Sequence, residues 1–119
     1  MAGSTTLTHF TIGHVRRIVV DFVGDAANGT IPDTLLPVFE GRLFELTTNP
    51  GAVAPTDNYD ITITDEDGVD VMQTAGADRD TANTEFAVPG KKSMAHGKLT
   101  LNIANAGAAK SGTAILYIR

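Results

Sequence analysis

Apolar and polar residues alternate over short stretches of the chain, and this period of two is typical of β-strands. The clearest stretch runs from Asn58 to Gln73 and is interrupted by the acidic segment Asp65–Gly68. On either side of that segment, polar residues separate apolar ones, which are Tyr59, Ile61, Ile63, Val69 and Val71. We therefore predict a hairpin of two strands joined by an acidic turn.

Two other stretches are largely apolar on both faces, namely Val15–Val23 and Gly112–Arg119. An exposed antiparallel sheet ordinarily has one apolar and one polar face. Each of these strands is therefore either covered on both sides within the domain or packs one face on another subunit. The second alternative gives the candidate interface residues, which are Val15, Arg17, Val19, Ile115 and Tyr117.

Further strands are predicted at Gly41–Thr48, Thr84–Val88 and Lys98–Ala104. In the last of these, alternate residues are expected to point inward, namely Leu99, Leu101 and Ile103. The segment Thr34–Glu40 carries apolar residues at helical spacing, so a single helical turn is an alternative there. Pro37 argues against a longer helix because it lacks a backbone N–H.

The regular succession of short strands and turns predicts an all-β fold, a single antiparallel β-sandwich of about seven strands that is immunoglobulin-like or jelly-roll-like. Residues 15–119 are expected to form the sandwich, and residues 1–14 an N-terminal arm or its first strand. The segments Ala2–Thr8 and Lys91–Gly97 are candidates for arms that become ordered on docking.

The amino-acid composition argues against several classes of function. The chain has 119 residues, no Cys, no Trp and a net charge of −5. The length suits one domain, and the absence of Cys excludes disulfides and thiolate chemistry. Dispersed basic residues in an acidic chain disfavour nucleic acid and anionic membranes as partners. There is no apolar run of the roughly 20 residues that span a bilayer and no signal-peptide pattern, so we expect synthesis in a cytoplasm.

The acidic segment has two interpretations. Asp65, Asp67 and Asp70 alternate around Gly68, and carboxylates at alternate positions can hold calcium. No Glu follows at the spacing of a helix-loop-helix site, and Asp-Gly is a favoured hairpin tip. A turn is therefore the preferred interpretation, with calcium as the alternative. Asp78 and Asp80 are a second acidic candidate, for which we expect Arg79 to pair locally instead.

Catalytic groups are not arranged in any recognisable pattern. None of His9, His14 and His96 has a second ligand at metal-binding spacing. The serines Ser4, Ser93 and Ser111 lie outside any nucleophile-elbow context. We expect neither an enzyme nor a cofactor.

Several segments together resemble small structural proteins encoded in tailed-bacteriophage genomes. They are Gly41-x-Leu43-x-x-Leu46-Thr47-Thr48-Asn49-Pro50-Gly51, Ala54-Pro55-Thr56-Asp57-Asn58-Tyr59-Asp60-Ile61, Asp65-x-Asp67-Gly68-Val69-Asp70-Val71, Asp78-Arg79-Asp80-Thr81-Ala82-Asn83-Thr84-Glu85 and the closing Leu116-Tyr117-Ile118-Arg119. The resemblance extends from about Val15 to Arg119 and concerns strands and turns. It carries over no binding residue.

What the resemblance implies is a virion structural protein, and most specifically a capsid decoration (cement) protein on the outer surface of the head. Its partners would be the major capsid protein or other virion proteins, together with copies of itself, a trimer being one candidate. An acidic surface suits the outside of a DNA-filled shell. The alternatives are a neck, tail or fibre component and a carbohydrate-binding adhesion module, although the latter usually needs aromatic platforms.

Overall fold

Seven β-strands make up the regular structure of residues 2–90 and 94–119, which are the residues described by the computed structural model. The strands are β1 (Ser4–Ile12), β2 (Val15–Val23), β3 (Thr34–Pro50), β4 (Asp60–Thr64), β5 (Glu85–Ala87), β6 (Met94–Ala104) and β7 (Ser111–Ile118). These residues contain no helix. The predicted all-β fold is confirmed.

The strands form two antiparallel sheets that share β3. In the first sheet the order is β1, β2, β7, the second half of β3, and β5. In the second sheet the first half of β3 pairs with β6, and β6 pairs with β4. With 17 residues β3 is long enough to serve both sheets in turn. This arrangement is consistent with the predicted sandwich.

The helical turn proposed for Thr34–Glu40 is wrong, because this segment is the beginning of β3. Leu35 is 63% exposed and Leu36 only 1%, which is the alternation of a strand. The pairing register shifts once between Leu36 and Phe39, so Pro37 lies within a bulge. Because proline cannot donate to a ladder, a bulge allows it to remain inside a strand.

One hydrophobic core joins the two sheets. The first sheet contributes one face of β2 and of β7, and the second contributes one face of β4 and of β6. Phe22 of the first sheet and Tyr59, next to β4, are both buried, with ring centroids 6.1 Å apart. The inward positions predicted for β6 are confirmed, since its core residues are Leu99, Leu101 and Ile103.

The predicted hairpin is only half correct. Its first strand is β4, but the chain after the acidic turn forms successive turns with one isolated bridge, Thr64 to Asp70. Val71 is buried while Val69 is 57% exposed. The φ angles of Gln73 (54°) and Thr74 (65°) are positive, so the backbone leaves the extended conformation there. β4 therefore pairs along its length with β6 and not with a strand after the acidic turn.

Residues 1–14 are predicted to be an N-terminal arm or a first strand, and the structure shows a strand, β1. Every residue of β1 pairs with β2, from Ser4 with Val23 to Ile12 with Val15. The two-residue turn between them has Gly13 at a φ of 60°, which suits the first central position of a type II′ hairpin turn. Of the second proposed arm, Met94–Gly97 belongs to β6, and residues 91–93, which include Ser93, lie outside the described residues.

Adjacent positions of β7 allow the assignment of its two faces to be tested. Leu116 is fully buried at the centre of the first sheet, whereas Ile115 lies half-buried on the opposite face. We expect Leu116→Ala to lower the free energy of unfolding by about 2–5 kcal/mol, through lost burial and a cavity. Ile115→Ala should cost roughly 1 kcal/mol. Urea unfolding measures both, and equal losses would contradict the assignment.

Candidate functional site

The five predicted interface residues lie together on one surface, the face of the first sheet opposite the core, which we call the outer face. The β2–β7 register places Arg17 opposite Tyr117 and Val19 opposite Ile115. All are half-buried, while the intervening residues of both strands are buried in the core. Val15 joins them at the end of β2, where it lines a shallow depression of about 350 Å³ together with Phe44, Glu45, Tyr117 and Arg119.

Four large apolar residues that the sequence did not single out extend this surface. Phe10 pairs with Arg17 and Ile12 with Val15, so β1 continues the outer face beyond β2. Phe86 of β5 pairs with Thr47, which itself pairs with Ile115. Phe44 lies at a second register shift of β3, between Leu43 and Glu45. The exposed fractions of the four side chains are Phe10 46%, Ile12 67%, Phe44 36% and Phe86 70%.

Arg17 holds two aromatic side chains of the outer face in place. Its Nε donates to the Tyr117 hydroxyl at 3.4 Å. Its guanidinium carbon lies 5.9 Å from the centre of the Phe10 ring, within the range of a cation–π contact. Because Arg, Tyr and Phe are enriched at protein interfaces, this trio has the composition of an interface core.

Arginines border one end of the outer face. The Arg42 guanidinium lies 5.1 Å from the centre of the Phe44 ring. Arg42 and Arg119 are held side by side, since each backbone N–H donates to the carbonyl of the other, at 2.7 and 3.0 Å. This border is basic although the chain as a whole carries a charge of −5.

The corresponding face of the second sheet is different. Its outward positions on β4 and β6 are mostly polar, and among them are Thr62, Thr64, Thr100 and Asn102. A polar outward face of this kind is usual for an antiparallel sheet whose other face packs on the core. Leu35 of β3, which is 63% exposed, is an apolar exception on that face. The exposed aromatic residues Phe10, Phe44 and Phe86 all belong to strands of the first sheet, and apolar patches on small proteins are often contact surfaces.

The carboxylates of Asp65 and Asp70 accept hydrogen bonds from nearby backbone N–H groups. Asp65 Oδ1 accepts the backbone N–H groups of Asp67 and Val69, at 2.9 and 3.0 Å. The Asp70 carboxylate accepts three more, from Ile63, Met72 and Thr74. Among the side chains that the structure describes, no three His, Asp or Glu residues are grouped so as to hold a metal ion. The geometry favours the turn interpretation, and calcium binding stays a prediction.

The second acidic segment is also organised around local bonds. Arg79 Nη1 lies 3.4 Å from Glu85 Oε1, and two further nitrogens of Arg79 donate to the Ala77 carbonyl. The local pairing expected for Arg79 is confirmed. The Asp80 carboxylate accepts hydrogen bonds from the Ala82 N–H and from the side chain and N–H of Asn83. These bonds, the one from Ala82 most of all, hold the pKa of Asp80 below its ordinary value.

Reactive side chains do not converge in the part of the chain that is described. Burial raises the pKa of Tyr59, and its phenol is fully enclosed in the core, so it is not presented to a substrate. The serine of β7, Ser111, offers its carbonyl to the Gly51 N–H and its N–H to the Val53 carbonyl, which is a structural role.

The sequence matches no protein-family model, no curated protein and no solved structure. Among the described residues there is no helix of the length and apolar character needed to cross a membrane.

Asp70 provides a test of the turn. Asp70→Ala leaves three backbone N–H groups without their acceptor, and we expect a loss of about 1–3 kcal/mol in the free energy of unfolding. Asp67→Ala is the matched control, since Asp67 is exposed and only its backbone N–H is engaged in the turn. Chemical denaturation compares the two variants, and equal stability would contradict the structural role of Asp70.

A thermal scan separates the two interpretations of the acidic turn. Because the Asp65 and Asp70 carboxylates already accept backbone N–H groups, we expect the same Tm in calcium and in chelator. A calcium-dependent rise in Tm that disappears in Asp67→Asn would instead establish a calcium site.

Proposed function

We propose that this protein is a structural component of a tailed-bacteriophage virion, a capsid decoration protein that binds the major capsid lattice through its outer face. The observation that carries the proposal is the concentration of exposed apolar and aromatic residues on the outer face, beside a polar face on the second sheet. The proposal also draws on the strand-and-turn resemblance to small phage structural proteins.

The outer face has the composition expected of a docking surface. Binding energy at protein interfaces is concentrated in a few Tyr, Trp and Arg residues surrounded by contacts that exclude water. Tyr117 and Arg17 occupy the middle of the outer face, and Phe10 lies next to them. The exposed residues around them, Ile12 and Phe86 among others, would be removed from water when a partner covers the sheet.

Docking through this face also keeps most of the negative charge in water. Nine of the 14 acidic residues fall between Asp57 and Glu85, outside the four strands that form most of the outer face. Charged residues are costly to bury without partners. A partner seated on the outer face would meet three charged groups of the central strands, Arg17, Asp21 and Glu45. The Asp21 carboxylate already accepts a hydrogen bond from the Thr113 hydroxyl at 2.7 Å.

A rigid platform suits a protein that stabilises a lattice. The strands that carry the central outer-face residues, β2 and β7, are the same strands whose other faces fill the core. Interfaces built on preorganised elements lose little conformational entropy on binding. The outer face can therefore bind without refolding.

Binding to capsids tests the proposal directly. Heads assembled without this protein are mixed with the purified chain and sedimented, and the bound copies are counted by quantitative mass spectrometry. We expect saturable binding at many copies per head. Ile115→Asp and Tyr117→Asp should each weaken binding at least tenfold, because each places a charge in the middle of the covered apolar surface.

Thr62→Asp is the matched control, since it adds the same charge to the outward face of the second sheet. It should bind like the unmodified protein, and all three variants should retain the β-sheet signal in circular dichroism. Equal binding by Ile115→Asp and Thr62→Asp would remove the outer face from the proposal. Copies found only on tails would assign the protein to the neck or tail instead.

A further inference from the structure

We propose that β1 is a pairing edge for a second copy of this chain. Two copies would join β1 to β1 in antiparallel orientation about a twofold axis at Thr8. Their first sheets would then form one continuous sheet across the dimer. This inference concerns self-association and does not depend on the proposed capsid role.

The free edge of β1 is the first observation behind the proposal. β1 is the terminal strand of the first sheet, and among the described strands it pairs with β2 alone. From Thr8 to Ile12 every residue is exposed. An exposed edge strand presents a row of backbone groups to which another strand can bind.

β1 lacks the features by which proteins normally block such an edge. Its sequence, STTLTHFTI, contains no Asp, Glu, Lys, Arg or Pro. Its register with β2 is continuous over all nine residues, with no bulge. Natural edge strands are usually short, bulged, charged or interrupted by proline, so an unprotected edge of this length indicates a strand meant to be paired.

The hairpin turn determines which backbone groups face outward. Ile12 and Val15 close a two-residue turn and are therefore a hydrogen-bonded pair. Hydrogen-bonded and non-hydrogen-bonded pairs alternate along an antiparallel ladder. The N–H and C=O groups of Thr5, Leu7 and Thr11 consequently point away from β2, toward the free edge.

A second copy is the occupant that fits this edge. Two chains that each carry a charge of −5 repel one another, and an uncharged strand is where they can approach with the least cost. In the antiparallel register centred on Thr8, Thr5 lies opposite Thr11 of the partner subunit, so outward-facing groups meet. All nine residues are paired in that register. A twofold interface of this kind is self-complementary and closed, and it does not propagate.

The pairing leaves the outer face available. It uses backbone groups at the edge of the first sheet, whereas Arg17, Ile115 and Tyr117 lie farther inside it. Phe10 of one subunit would lie opposite Thr6 of the partner subunit, so the two outer faces would become one surface. A protein that does not dimerise could therefore still bind capsids through its single outer face. A protein that does not bind capsids could still dimerise through β1.

Cysteine cross-linking tests the register, since the chain has no Cys of its own. Thr8 and its counterpart would form a non-hydrogen-bonded pair with Cα atoms about 4.5 Å apart, within disulfide range. We expect Thr8→Cys to give a covalent dimer under mild oxidation. Thr6→Cys is the matched control on the same strand and face, where the two cysteines would be about 13 Å apart and should not cross-link.

Analytical ultracentrifugation supplies the second measurement. The unmodified protein should be a dimer, and Thr11→Pro should be a monomer with an unchanged β-sheet spectrum, because the lost N–H points away from β2. A monomeric unmodified protein would overturn the proposal. So would a dimer in which Thr8→Cys cross-links no better than Thr6→Cys, or one that persists in Thr11→Pro.

Discussion

The pairing of β7 between β2 and β3 is the interaction on which the rest of the structure depends. Along β7, buried and half-buried residues alternate without exception, so a single strand supplies both the core and the outer face. Leu116 and Ile118 fill the interior, while Ile115 and Tyr117 lie on the other side. A change in this register by one residue would exchange the two surfaces.

The same pairing explains why the two sheets differ. The second half of β3 pairs with β7 in the first sheet, and its first half pairs with β6 in the second sheet. One long strand therefore joins a sheet with aromatic and aliphatic residues on its outer face to a sheet whose outward face is mostly polar. The bulge at Pro37 lies in the half that belongs to the second sheet. The two sheets thus expose different kinds of side chain although they share one strand, β3.

Much of this could be predicted where alternation is strong, as in β2 and in the part of β6 after Gly97. The errors arose where local polar bonds replaced the ladder. The Asp70 carboxylate binds three backbone N–H groups and directs the chain into turns, so Val69 and Val71 do not form a strand. Two-sided apolar strands indicated the middle of the outer face. Phe86 was missed because it joins the outer face only through its cross-strand pairing with Thr47, and Phe44 because it lies at a register shift that interrupts the alternation. Gly13 between two apolar runs was a usable hairpin signal for Phe10.

Hydrogen–deuterium exchange of the protein, free and bound to heads, tests most directly whether the outer face carries the function. We expect binding to slow exchange at residues 15–19, 44–47 and 115–117 and to leave exchange in β4 and the second half of β6 unchanged. Slower exchange confined to β4 and β6, or no change in any strand of the first sheet, would contradict that expectation.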